Sequence, residues 1–64
     1  MTTKIKSNEP LAAALTAYND RAKLNLDAQA DYWPHDIKNI VENCFLNGWH
    51  DLAERIQTAA DIIL

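Results

Sequence analysis

Trp33-Pro34-His35-Asp36-Ile37 and, fifteen residues on, Gly48-Trp49-His50-Asp51-Leu52 are two copies of one pattern. Each sets a tryptophan and a His-Asp pair ahead of the first apolar residue of a helical stripe. In register, Ile37 matches Leu52, Val41 matches Ile56, and Cys44-Phe45 match Ala59-Ala60. Apolar residues at such spacings line one face of a 3.6-residue helix. Two such units joined at Asn47-Gly48 predict a tight helical hairpin, because so short a loop leaves the helices antiparallel.

The starts and stops of the two helices are written locally. Pro34 fits a first helical position, where its missing N–H removes no bond, and it turns the preceding residue away from helix. Asp36 and Asp51 place negative charge in a first turn, against the positive end of the helix dipole. Gly48 supplies the left-handed residue that closes a helix. Asp51 and Arg55 are spaced for a favourable i, i+4 pair.

Upstream, Ser7-Asn8-Glu9-Pro10 predicts another helix start, with Asn8 or Ser7 as cap. Leu11, Ala14, Leu15, Tyr18 and Ala22 follow as a stripe that Leu26, Ala30 and Trp33 extend. Leu24 falls off it, and Asn25-Leu26-Asp27 are poor helix formers. Asp27 could cap a new short helix. The expectation is an all-α, three-helix domain with helices over about 10–32, 34–46 and 49–63. Residues 1–8, polar and aperiodic, are read as a flexible arm.

Size and charge then limit function. The chain has 64 residues, one cysteine and a formal net charge of −3. A domain this small is marginal and is commonly stapled by disulfides, metal or self-association. Cys44 has no partner within the chain, and it reads as a small buried hydrophobe suited to a reducing compartment. Six scattered bases among nine acids form no basic patch, which argues against non-specific nucleic-acid binding. No apolar run reaches the ~20 residues of a membrane span, and the first residues lack the apolar core of a secretory signal. A cytoplasmic protein is expected.

Chemistry-bearing motifs are sparse. Each His-Asp pair stands alone, without the further ligands that a metal-dependent phosphohydrolase needs. No paired Cys or His spacing suggests zinc, and His50 with Glu54 at i, i+4 suits a solvated pair equally well. Cys44 has no cationic neighbour in sequence to activate it. Gly48 is the only glycine, so a phosphate loop is absent. Neither catalysis, cofactor nor metal is expected.

What remains is binding. A helix from 10 to 32 would be ~33 Å long against hairpin helices of ~20 Å, leaving part of its stripe uncovered. The expected contact residues are Leu11, Leu15, Tyr18, Leu24, Tyr32, Trp33, Ile62 and Leu64, facing another protein or a second copy in a homodimer. This predicts a regulatory module of the inhibitor or adaptor type, such as an accessory protein encoded by a phage or plasmid. The alternative is a helix-turn-helix-like DNA-binding regulator that reads through residues 49–63, presenting His50, Glu54, Arg55, Gln57 and Thr58.

Overall fold

The structure is a computed structural model that describes residues 3–62. It has three helices: α1 (Glu9–Ala22), α2 (Pro34–Leu46) and α3 (His50–Ala60). This is the all-α, three-helix domain expected, with α2 and α3 as its hairpin. Leu64, and the last residue to which α3 was expected to run, lie outside the described residues.

Helix α3 packs against both α2 and α1, whereas α1 and α2 make no comparable backbone approach to each other. Contacts along α1 give its direction. Asn8, its N-cap, reaches the far end of α3 through Nδ2, which donates to Ala59 O at 3.2 Å. Tyr18, near its other end, stacks edge-on against Trp49 at the start of α3, with ring centroids 6.3 Å apart. Helix α1 therefore runs antiparallel to α3 and parallel to α2. The C-terminal ends of α1 and α2 share one pole of the bundle.

The core is the meeting of three stripes. Leu11, Ala14, Leu15 and Tyr18 come from α1, Ile37, Val41 and Cys44 from α2, and Leu52, Ala53, Ile56 and Ala60 from α3. Leu11, Leu15, Ile37, Val41, Cys44 and Ile56 have no solvent exposure at all. Each large aliphatic so buried contributes about 1.5–3 kcal/mol relative to exposure. At the edge of this packing Asn43 Nδ2 donates to Tyr18 Oη at 2.8 Å, which ties α1 to α2.

Helix α1 is the longest of the three at 14 residues, yet it stops at Ala22 and does not reach Tyr32. Lys23 turns left-handed at φ 57°, and Leu24 N–H donates back to Asn19 O at 3.0 Å. The Asn19 side chain then holds the departing chain from both sides. Its Nδ2 donates to Leu26 O at 2.8 Å, and its Oδ1 accepts from Leu26 N–H at 3.2 Å. Asp27 starts a turn instead of a helix: Oδ1 accepts from Gln29 N–H and its carbonyl from Ala30 N–H. A 14-residue helix is ~21 Å long, matched to its neighbours. The surplus length predicted from the stripe does not exist, because Leu26, Ala28 and Tyr32 fold back onto the core.

The N-terminal arm is also tied, over residues 3–8. Ile5 and Tyr32 exchange backbone hydrogen bonds as an isolated antiparallel bridge. Ser7 N–H donates to Asp31 Oδ1 at 2.9 Å and its hydroxyl to Ala28 O at 3.2 Å. Ile5 packs on the core beside Tyr32. Arm and returning loop brace each other.

All three helices end on left-handed residues: Lys23, Gly48 and Asp61. After α2, Gly48 N–H donates to Phe45 O and Trp49 N–H to Cys44 O, the paired bonds of a Schellman ending. Asp61 N–H to Thr58 O and Ile62 N–H to Gln57 O repeat it after α3, which stops that helix at Ala60. Only Gly48 adopts this conformation without steric penalty. Lys23→Gly should stabilise the protein by about 1 kcal/mol, raising Tm by about 4–8 °C for a domain of this size. Gly48→Ala should lower stability by about 1 kcal/mol, and the loss is purely backbone because nothing lies within 4 Å of the added Cβ. Circular-dichroism melts of both variants check the signs.

Candidate interaction surface

The residues expected to contact a partner divide into two groups. Leu11, Leu15 and Tyr18 do not form a contact face; they are 0%, 0% and 4% exposed and belong to the core. The reason is the shortened α1, whose whole stripe is covered by α3 and the returning loop. Tyr32 and Ile62 are half-buried against that core. Tyr32 Oη donates to Asp27 O at 2.7 Å, and burial, then the charges of Asp27 and Asp36, push its phenol above the usual 10.0.

Leu24 and Trp33 remain at the surface, 48% and 40% exposed. Trp33 stands at the start of α2, with the Lys4 ammonium 5.3 Å from its ring centroid. The tryptophan of the second repeat copy, one residue off its register, behaves differently. Trp49 is half-buried and packed on the core, held by the Gly48 turn and the Tyr18 ring.

Two surface residues were not anticipated. Phe45 is 39% exposed and Leu46 is 86% exposed. Leu46 was legible: at about 100° per residue it lies about 200° round from the buried Cys44. Phe45 is harder, since it follows Val41 by four residues and shares the edge of its stripe. It leans on the His50 ring, edge-on at 5.5 Å. Leu46 and Phe45 close α2 while Leu24 follows α1, so all three stand at the pole where those helices end. Among the described residues the other large apolar side chain at the surface is Trp33.

Elsewhere the surface offers little chemistry. His35 Nε2 lies 3.3 Å from Asp36 Oδ1, but both side chains are solvent-exposed. His35 and His50 start successive antiparallel helices, so they stand at opposite ends of the hairpin. Among the described residues no three His, Cys, Asp or Glu groups could hold a metal ion. The Asp51–Arg55 ion pair expected from spacing is not formed. The outward side of α3 exposes Asp51, Glu54 and Asp61 with Arg55 as its sole base, a poor match for phosphate. No helix among the described residues is long and apolar enough to cross a membrane.

Comparison with protein-family models, curated proteins and solved structures finds no match to this chain.

Cys44 is fully buried in the α2 stripe. Burial pushes its thiol above the usual 9.0, and the Arg21 charge opposes this only in part. The thiolate that nucleophilic chemistry requires is thus disfavoured. Because the folded state holds this proton more tightly, stability should fall as pH rises past the ordinary thiol range. A disulfide reagent should leave native Cys44 unmodified and label it fully after denaturation. Rapid labelling of the folded protein would put the thiol at the surface.

Proposed function

We propose that this protein is a non-catalytic binding module that engages a partner protein through the pole formed by Leu24, Phe45 and Leu46. The observation that carries this reading is the 86% exposure of Leu46 beside a second exposed residue, Phe45. A solvated leucine next to a solvated aromatic is costly unless something covers it, and clustered apolar side chains of this kind mark contact sites. Aromatic anchors commonly dominate such contacts.

The supporting geometry is rigidity. Gly48 and the two Schellman hydrogen bonds fix the corner, and Trp49 roots it to Tyr18. A preorganised corner loses little freedom on binding. Such a module acts by occupying a surface, as an inhibitor or adaptor does. Cytoplasmic residence suits its single reduced thiol. The homodimer is a weaker variant of the same reading, because the long uncovered stripe that motivated it is folded away in the core.

Photo-crosslinking in the cells that express the protein tests this. A crosslinking residue at Leu46 or Leu24 should capture one distinct polypeptide, and the same residue at Lys38 should not. Leu46→Asp should abolish capture from position 24 while leaving stability within about 0.5 kcal/mol of the parent, as expected for an exposed site. Capture of the chain by itself would favour the dimer. Equal capture from all three positions, or persistence in Leu46→Asp, would refute the assignment.

A further inference from the structure

A second exposed face of the molecule lies between α1 and α3, running from the start of α3 toward its far end. An open cleft there has Pro10, Ala13 and Ala59 as apolar lining and Asp51, Glu54, Arg55 and Thr58 as polar lining. A second depression shares Glu54 and Thr58 and continues to Asp61 and Ile62. Together they make one track along α3 from Asp51 to Asp61. Ten residues of helix span ~15 Å, the length of nearly three helical turns.

The charge on this track is lopsided. Asp51, Glu54 and Asp61 line it with Arg55 as the sole base. The two depressions are therefore lined by three acids against one base. The one ion pair among the described residues is His35–Asp36, which leaves the acids of the track without a cation. The small side chains of Ala13 and Ala59 do not obstruct close approach between them.

We infer that this track is a docking site for a basic amphipathic helix of a partner protein. Lysines or arginines on the flanks of that helix meet Asp51, Glu54 and Asp61, and its apolar seam lies over Pro10, Ala13 and Ala59. Complementary charge of this kind sets orientation and speeds encounter. An apolar seam is required as well, which separates this occupant from a small polycation. The site shares no residue with the pole, so either surface can fail without the other.

The test is a titration of the 15N-labelled protein with three probes. They are a leucine-seamed helical peptide of about 14 residues with flanking lysines, the same peptide with glutamates, and spermidine. The lysine peptide should shift the amides of Ala13, Glu54 and Thr58, and added salt should weaken it. Asp51→Asn with Glu54→Gln, both at exposed positions, should reduce its affinity by roughly threefold to tenfold with an unchanged melt. Ala13→Leu should weaken it too, by filling the cleft. Equal binding of the glutamate peptide, equal shifts from spermidine, shifts confined to Leu24 and Leu46, or no shifts would each overturn the proposal.

Discussion

The structure depends on α3 having two faces to bury. Helices α1 and α2 do not pack closely on each other, so the third helix must meet both. Its sequence allows this by mixing large and small residues: Leu52 and Ile56 fill space, while Ala53 and Ala60 let neighbouring chain approach. A helix with a single narrow stripe could close a hairpin but could not also carry α1. Most of the remaining positions of α3 are polar, with Asp51 and Glu54 as its acids and Arg55 as its base. The core requirement and the charged face are consequences of one eleven-residue segment.

Helix length is the second constraint, and it is enforced by endings. Lys23, Gly48 and Asp61 each turn the backbone left-handed, so the three helices stop at comparable lengths. Beyond Lys23 the chain returns as a loop pinned by Asn19 and by the Ile5–Tyr32 bridge. This loop brings Leu26, Ala28 and Tyr32 against the core, adding burial that a straight continuation of α1 would have lost to solvent. A small chain whose single cysteine cannot pair within it gains much from such coverage.

What the amino-acid sequence disclosed follows from the range of the interactions involved. The hairpin was legible because its signals are local: Pro34 and Gly48 act within one turn, and the stripe from Ile37 to Cys44 repeats with helical period. The end of α1 was not, because Leu26, Ala30 and Trp33 continue the same period while the stop is set by a lysine. Lysine carries no left-handed signal, and only the Asn19–Leu26 clamp, seven residues apart, reveals why it turns there. The arm's attachment rests on contacts 21 to 27 residues distant, beyond the reach of any local pattern. Of the exposed apolar residues, Leu24 could be found by its position off the core stripe and Trp33 by its place beside a proline. Leu46 could have been found by the same angular argument. Leu11, Leu15 and Tyr18 were misplaced because their exposure was inferred from a helix length that does not occur.

The account as a whole requires that one chain cover its own core and keep its remaining apolar side chains for others. Thermal unfolding followed across protein concentration tests this most directly, since self-association makes Tm depend on concentration. Between about 1 µM and about 100 µM the transition should be cooperative and its midpoint constant. A midpoint that climbs with concentration would show that a second copy binds the folded chain, and the account, which reserves the exposed apolar residues for a different protein, would be wrong.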